Sequence, residues 1–388
     1  MKLYPHLFWT IALGAVAVLW IYGTIDAARG VPKLASLGEA APLNDADCPS
    51  ISILFAARDE ADKLPAALRT FLAVDYPRCE VAAVDDRSED ATGEILERAA
   101  RDNPHLKVVH VKELPGGWLG KPHALQKAYE QSNGEWLIFT DADVQFRPRL
   151  VRRAVSLAVK NGWDHLTLSG HTEMFTLGEK IALTFFALAF LMGVRPWRLS
   201  NPRSRAFVGV GMFQLIRRRT YEAIGTHRRL AMEVVDDMKL GKLVKQAGFR
   251  SAMARAGDDV SVHWHSGVRN IIRGTTKNFF AFAGFSLWMV GAQIFGLIAM
   301  CIFPWVALPF VHGWALSFAG IAVGLAIILD IGVCVELQAS PAYALTFPIG
   351  ALIFVWMLVR STIVTLWSGG ITWRGTFYPL KELKRGVV

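Results

Sequence analysis

The chain has 388 residues, more than the roughly 200 that usually bound one domain. Its 53% hydrophobic and 19% charged content is too apolar for an ordinary soluble protein and predicts a membrane component. The net charge of +9 suits nucleic acid, anionic lipid or a phosphorylated substrate and selects none of them. The four cysteines are far apart and form no CxxC pair, which excludes a zinc site and a disulfide-stapled fold.

The run from Leu7 to Tyr22 carries no charge and is about long enough to span a bilayer core. A signal peptide is the alternative, but the segment after Tyr22 lacks a small-x-small cleavage site. We therefore expect a retained transmembrane anchor over residues 1–25, followed by a linker over 26–49. A second apolar run, Ile181 to Val194, is about 14 residues long and too short to span, so it predicts an interfacial or buried core helix.

Residues 276–367 form a predicted region of interfacial and transmembrane helices, because no Asp, Glu, Lys or Arg occurs between Asn278 and Leu329. The three expected segments are Phe279–Phe303, Trp314–Val335 and Ala342–Leu366. Lys and Arg place both the linker and the basic tail, 368–388, on the cytoplasmic side. Three complete crossings cannot join two points on one side. Either one segment is re-entrant or interfacial, which we favour, or the tail lies outside.

Residues 50–275 read as alternating strands and helices. The predicted strands are 51–55, 81–84, 107–111 and 136–140, and the predicted helices are 64–72, 91–101 and 123–130. This alternation predicts an α/β fold with a mainly parallel sheet, in which ligands bind outside the carboxyl ends of the strands.

Acidic residues follow three of these strands. Asp141 and Asp143 come after the fourth strand, on alternate residues from which both can reach a hard divalent cation shared with a nucleotide diphosphate. Alone, this pair is better explained as an acidic turn that solvates a strand end. However, Asp85-Asp86 ends the second strand and Glu60 follows the first. Three acidic ends on one sheet edge predict a bound cation or hydrogen-bond donor there.

Further candidates lie outside the strand ends. Asp237 follows Asp236 on a helical pattern, and a carboxylate in a partly dry cleft can remove a proton from an acceptor hydroxyl, although acids are also common in a first helical turn. The glycine-rich loop 116–122 contains Lys121 and matches neither the P-loop nor GxGxxG, yet it can bring amides and a cation to phosphates. The glycines of 207–213 indicate either close approach of a ligand or strand packing.

Taken together in chain order, these motifs resemble the family 2 glycosyltransferases over about residues 50–275. That family has the Rossmann-like GT-A fold. The flanking apolar segments and the run 117–122 are similar to the membrane-bound group of ceramide, hopanoid-associated and carotenoid-ester glycosyltransferases. The resemblance implies roles for the following residues: Ala57, Arg58, Glu60, Asp85 and Asp86 for uridine, Asp141 and Asp143 for metal and diphosphate, and Asp237 as general base.

The chain departs from that pattern twice. Membrane-bound members commonly carry (Q/R)xxRW after the base, whereas here the nearest text is 270–274, with Gly274 in place of Trp. The resemblance still implies that Arg273 binds the diphosphate. The missing Trp makes a processive polysaccharide synthase a less favoured alternative. Asp236 stands where Glu is common, so Asp236 remains the alternative base.

We therefore expect an inverting glycosyltransferase that moves one sugar from a UDP-sugar to a ceramide-, hopanoid- or isoprenoid-like membrane lipid, with Mg²⁺ or Mn²⁺. The alternatives are a processive polysaccharide synthase, a polyprenyl-phosphate glycosyltransferase, and a scaffold or transporter with a degenerate site. The expected location is the bacterial inner membrane with a cytoplasmic catalytic domain. No nucleic-acid module is present to explain the positive charge.

Overall fold

The computed structural model describes residues 3–388, so the first two residues of the predicted anchor lie outside the described part. The chain divides into two compact units. The helical unit comprises the chain up to Lys33, Met174–Arg195 and His265–Gly369. The sheet unit comprises Leu34–Glu173, Pro196–Trp264 and Gly370–Val388.

The helices and strands have the following bounds. The helices are α1 (Leu3–Gly30), α2 (Leu64–Leu72), α3 (Thr92–Asp102), α4 (Gly120–Glu130), α5 (Leu150–Asn161), α6 (Leu177–Val194), α7 (Arg218–Ala223), α8 (Asp236–Gln246), α9 (Val268–Thr275), α10 (Asn278–Phe282), α11 (Leu287–Leu297), α12 (Phe303–Ala307), α13 (Gly313–Glu336), α14 (Phe347–Ser368) and α15 (Leu380–Arg385). The strands are β1 (Ala35–Ser36), β2 (Ile51–Ala57), β3 (Cys79–Asp86), β4 (Leu106–Val111), β5 (Trp136–Phe139), β6 (Gln145–Phe146), β7 (His165–Thr172), β8 (Gln214–Arg217), β9 (Ser251–Val262), β10 (Gly370–Trp373) and β11 (Thr376–Pro379).

The sheet unit is built on a nine-stranded sheet with the order β1-β9-β7-β8-β5-β2-β3-β4, and β6 pairs with β9. Strands β2 to β5 are mutually parallel where they pair, and β8 runs antiparallel between β5 and β7. The predicted mainly parallel α/β sheet is therefore confirmed, together with each of the four predicted strands and three predicted helices.

The central strands are buried because helices cover both faces of the sheet. In β2, Ile51, Ile53 and Phe55 enter one hydrophobic core and Leu54 enters the other. This alternation follows from the two-residue period of a strand, and it explains why these segments read as continuous apolar runs. Burial on both faces fixes the register and hence the position of each carboxyl end.

Within residues 3–388, five helical stretches are long and apolar enough to cross a membrane, and all of them lie in the helical unit except for the last three residues of the second, 196–198. They are His6–Lys33, Leu177–Arg198, Leu287–Ala307, Gly313–Glu336 and Pro341–Ser368. α1 packs closely on α13, since a Cβ at Gly14 would lie 3.3 Å from the Phe318 ring. A π-helical turn interrupts the third stretch before Pro304, and its Met300 carbonyl accepts a hydrogen bond from Trp20 Nε1 at 3.0 Å.

Chain connectivity limits how many of these stretches cross completely. The segments before and after α6 both belong to the sheet unit, where β7 pairs with β8, so α6 alone cannot carry the chain across. α6 has 18 residues rather than the expected 14, yet this argument favours the interfacial or core alternative. Likewise, both flanks of His265–Gly369 belong to the sheet unit, so an odd number of crossings between them is excluded. The re-entrant or interfacial segment, like its alternative of an external tail, stays a prediction.

The units divide the chain differently from the expected boundaries. The expected linker 26–49 contains the end of α1 and also β1, which pairs with β9. Residues 174–195 and 265–275 belong to the helical unit, although they fall within the expected catalytic domain of 50–275. The expected basic tail 368–388 forms the β10–β11 hairpin and α15 within the sheet unit. These departures arise because segments distant in sequence pack together.

Candidate active site

The carboxyl ends of β2, β3 and β4 lie side by side. Ala57, buried at the end of β2, is in register with Asp85 on β3, and Asp85 is in register with His110 on β4. Asp85 Oδ2 lies 2.9 Å from His110 Nδ1, and Asp85 Oδ1 accepts a hydrogen bond from Ser88 N at 3.2 Å. The hydrogen bond with Asp85 raises the pKa of His110, helped by Glu97. Sequence reasoning missed His110, because a histidine inside a strand gives no local signal.

Asp86 is buried and held by its neighbour. Arg87 donates from Nε to Asp86 Oδ1 at 2.8 Å and from Nη2 to Oδ2 at 3.0 Å. A Cβ at Gly120, the first residue of α4, would collide with Asp86 and would lie 2.7 Å from Arg87 Nη2. The glycine in this loop therefore lets the start of α4 approach the strand end.

Each carboxylate of the Asp141/Asp143 pair meets a lysine. Lys121 Nζ lies 2.6 Å from Asp141 Oδ1, and Lys63 Nζ lies 2.8 Å from Asp143 Oδ2. Burial alone would lower the pKa of Lys121, but Asp141, Asp236 and Asp237 outweigh burial and raise it. Lys121 was predicted from the glycine-rich loop, whereas Lys63 was missed because a lone lysine after a strand is common on any surface. The site thus interleaves acids and cations.

Gly211 joins the strand-end acids to the helix α8 acids. Its carbonyl accepts a hydrogen bond from Asp141 N at 3.0 Å, and its N–H donates to Asp237 Oδ2 at 3.1 Å. A Cβ at Gly211 would lie 2.6 Å from Asp141 Oδ2 and 3.4 Å from Asp237 Oδ2. The two predicted functional acids, almost one hundred positions apart in sequence, therefore border the same small space.

The other glycine of this run serves packing. A Cβ at Gly209 would collide with the Asp237 carbonyl, and a Cβ at Gly241 would collide with the Val208 carbonyl. Two glycines thus allow the first turns of α8 to rest on this backbone segment. Residues 207–213 were expected to serve either a ligand or strand packing. Gly209 instead packs against helix α8, and Gly211 makes room for Asp141 and Asp237.

Asp236 and Asp237 occupy different surroundings. Asp236 is 4% exposed, and its Oδ2 lies 3.9 Å from His227 Nε2. The Tyr221 hydroxyl and His227 Nδ1 share a hydrogen bond of 2.6 Å, and the same hydroxyl accepts from His227 N at 2.9 Å. Asp237 is partly exposed, and its Oδ1 accepts from Met238 N at 2.7 Å. Two backbone donors therefore orient the Asp237 carboxylate while leaving it accessible.

The loop after β2 meets the C-terminal hairpin. Glu60 N donates to Thr92 Oγ1 at 2.9 Å, and the Glu60 carboxylate pairs with Arg374. Burial raises the pKa of Glu60, opposed by the Arg374 charge. Arg58 Nη1 donates to Thr376 Oγ1 at 3.3 Å. The hairpin was not predicted as part of the site, although the Arg374-Gly375 pair between alternating residues is a turn signal.

Arg273 is the one predicted site residue outside the sheet unit, because α9 belongs to the helical unit. Beside it, a Cβ at Gly274 would collide with the His265 ring. A tryptophan at position 274 would therefore require this ring to move.

The donor chemistry fits a divalent ion shared with phosphates. Among residues 3–388, the structure contains no group of three or more His, Cys, Asp or Glu arranged to hold a metal. Asp141 and Asp143 already attract two ammonium groups, so this edge favours cations. Mg²⁺ and Mn²⁺ accept one or two carboxylates when phosphate oxygens and water complete their shell. These two residues could hold such an ion with a diphosphate.

The profile of "Glycosyl transferase family 21" matches residues 9–385. One relative is a 4,4'-diaponeurosporenoate glycosyltransferase of Staphylococcus haemolyticus, 24% identical over 66% of this chain and 70% of its own length. Another is a beta-monoglucosyldiacylglycerol synthase of Synechocystis, 31% identical over 38% of this chain. The chain spans only 33% of the length of that second relative.

Among solved structures, a mannosyltransferase from Pyrobaculum calidifontis, in complex with GDP-Man and Mn²⁺, superposes with a TM-score of 0.57. The match covers 93% of this chain and 99% of that chain at 18% identity. At this identity the likeness concerns the fold, and it agrees with the expected GT-A architecture.

Proposed function

Because the chain belongs to glycosyl transferase family 21, and is thus a glycosyltransferase, we propose that it moves one sugar from a UDP-sugar to a membrane lipid, with inversion at the anomeric carbon. The observation that carries this proposal is the Gly211 bridge. It brings Asp141 and Asp237 to one space, and this supports our assignment of Asp141 to the donor and Asp237 to the acceptor of a reaction in that space.

On the donor side, the nucleotide would lie along the ends of β2 and β3, against Ala57, Arg58, Glu60, Asp85 and Asp86. Asp141 and Asp143 would hold Mg²⁺ or Mn²⁺, which neutralises diphosphate charge when bound. Lys121 and Lys63 already lie on these two carboxylates and would turn to phosphate oxygens as the leaving group gains negative charge. Arg273 stays a predicted diphosphate ligand.

On the acceptor side, Asp237 would accept the proton of the lipid hydroxyl or carboxyl. The acceptor oxygen then bonds to the anomeric carbon as the bond to the diphosphate breaks, in a single displacement. Asp237 suits this role better than Asp236, because Asp237 is accessible and oriented by two N–H donors, whereas Asp236 is buried.

A lipid acceptor is supported by two observations. The relatives are named for a carotenoid-type and a diacylglycerol-type substrate, and this chain devotes five apolar helical stretches to its helical unit. A membrane-embedded unit can present a lipid without transferring it into water. The apolar stretches also support membrane association. We propose the bacterial inner membrane with the sheet unit in the cytoplasm, the side that the Lys and Arg residues of the linker and the tail favour.

The proposal is tested with purified protein in native-lipid nanodiscs. The protein is incubated with Mn²⁺ and a panel of UDP- and GDP-sugars, and the organic extract and insoluble residue are analysed by mass spectrometry. We expect a lipid that gains one sugar mass from a UDP-sugar, with no product after EDTA treatment. Insoluble polymer would instead identify a processive synthase, and a sugar on a polyprenyl phosphate would identify the other alternative.

A further inference from the structure

The hairpin of β10 and β11 contacts the donor-side residues from the far end of the chain. Arg374 pairs with Glu60, and the Thr376 hydroxyl lies 3.3 Å from Arg58 Nη1 and 3.5 Å from Arg87 Nη1. The hairpin thus touches the ends of both β2 and β3, where the uridine is proposed to bind. All these residues belong to the sheet unit.

A fourth contact reaches the glycine-rich loop. The Tyr378 hydroxyl, on a side chain that is 6% exposed, accepts a hydrogen bond from Gly120 N at 3.2 Å. Gly120 begins α4, and the next residue, Lys121, reaches Asp141. Tyr378 therefore fixes the backbone from which the lysine extends toward the metal-side carboxylate.

The turn of the hairpin is specialised. Arg374 and Gly375 have φ values of +48° and +75°, and Trp373 pairs with Thr376, as in a two-residue type I′ turn. Asn, Asp or Gly is the usual residue at the first central position, and arginine there adopts a strained backbone. The pairing of Arg374 with Glu60 supplies a reason for an arginine at this position.

The edge also retains an unused hydrogen-bond donor. Arg58 Nε is buried, and among the described residues it has no hydrogen-bond partner, although Asp59 lies 3.8 Å away. A buried guanidinium nitrogen without an acceptor is costly in a folded protein. A ligand at this edge would provide the acceptor.

We propose that the hairpin is a structural wall of the donor site, in which Arg374 and Thr376 are positioning residues that hold Glu60, Arg58 and Arg87 for the nucleotide. This inference rests on the proposed function. Without Arg374, Glu60 loses its counterion and can leave its place, so nucleotide affinity falls although acceptor binding and chemistry do not change directly.

The test measures UDP binding to the full chain in nanodiscs by calorimetry with Mn²⁺, and donor and acceptor KM by initial rates. We expect Arg374→Ala to weaken UDP binding about tenfold, the effect of losing roughly one charged hydrogen bond, and to raise donor KM with acceptor KM unchanged. Arg374→Lys should recover part of the affinity. Thr376→Val should act in the same direction more weakly.

Arg385→Ala is the matched control, because it removes the same charge from exposed α15 and should change neither constant. UDP affinity and donor KM that stay at wild-type values in Arg374→Ala would overturn the hairpin proposal alone. Wild-type protein that binds no UDP would instead overturn the proposed donor, and with it the basis of this inference. An equal loss of donor and acceptor affinity would indicate general unfolding of the site and would also reject the specific role.

Discussion

The carboxylates of the two units have different kinds of partner. In the sheet unit, acids gather at one edge and meet cations, as Asp141 meets Lys121 and Asp143 meets Lys63. In the helical unit, Glu179 is 1% exposed and accepts backbone hydrogen bonds from Phe175, Thr176 and Gly267. Acids in the sheet unit are thus poised for exchange with a ligand, whereas Glu179 is fully occupied in holding helix α6 and its neighbours.

This difference follows from solvation. Burial of a carboxylate costs free energy unless hydrogen bonds replace those to water, and at Glu179 backbone N–H groups supply them. At the open edge of a sheet, a carboxylate can keep a mobile lysine as partner and release it when a stronger cation or phosphate arrives. Removal of Asp141 or Asp143 should therefore impair activity, whereas removal of the fully hydrogen-bonded Glu179 should impair stability.

The largest effect is expected for Asp237→Asn. An amide keeps the shape of the side chain and can accept one of the two backbone hydrogen bonds, from Gly211 or Met238, but it cannot take the acceptor proton. We expect turnover to fall by about 100-fold to 10,000-fold with UDP affinity retained. Single-turnover transfer and calorimetric UDP binding measure the two quantities.

Asp236→Asn is the matched control, one residue away and buried beside His227. It should affect thermal stability more than turnover. If Asp236→Asn abolished transfer and Asp237→Asn did not, the base would be Asp236. If both variants retained full transfer, the acceptor-side scheme would be wrong.

An intermediate effect is expected when the pH falls. His165 and His227 are buried in the sheet unit, and burial lowers their pKa to about 4 and about 3. An unfolded chain binds protons on these rings near pH 6.5, whereas the folded chain does not. The contribution of both rings is therefore complete above pH 6.5 and is lost as the pH falls below it.

For each of the two histidines, the free energy of unfolding should fall by about 2 kcal/mol as the pH is lowered from 6.5 to 5. Thermal unfolding of the nanodisc-embedded protein, followed by tryptophan fluorescence across this range, measures the loss. His165→Gln replaces a ring that contacts Ser251 and Gln214, and it should flatten the pH dependence. An unchanged slope in this variant would show that His165 does not cause the acid sensitivity.

Local sequence signals predicted the four parallel strands β2 to β5 of the nine-stranded sheet, but not the other five. The alternating pattern of β2 and the acids after β3 and β5 are short-range features, and parallel strands bring their carboxyl ends together by topology. The sequence therefore placed Glu60, Asp86 and Asp141 near one edge before any contact was known, and the structure brings them there. What these residues do chemically stays a prediction.

Long-range contacts were beyond these signals. Lys63 meets Asp143 across 80 positions, and Arg374 meets Glu60 across 314. Neither pair leaves a periodic pattern, so positive charges in the tail were assigned to membrane orientation instead. The Gly211 bridge was missed for the same reason, because a glycine between strands gives the same local signal whether it faces a ligand, a helix or two acids.

The smallest effect, and the sharpest test of the comparison, concerns Asp330 in α13. Its side chain is 1% exposed, and its Oδ1 has no hydrogen-bond partner within residues 3–388. Unlike Glu179, this carboxyl is incompletely satisfied, so its removal should relieve a desolvation cost of about 1 kcal/mol. We expect Asp330→Ala to raise the unfolding temperature by a few degrees with transfer activity unchanged.

Ala326→Asp is the matched control, because it places a carboxyl one turn earlier on a position that is also 1% exposed. It should lower the unfolding temperature. If Asp330→Ala instead reduced transfer while the protein stayed folded, Asp330 would serve the lipid acceptor. Carboxylates would then serve activity in both units, and the proposed difference between the two units would be wrong.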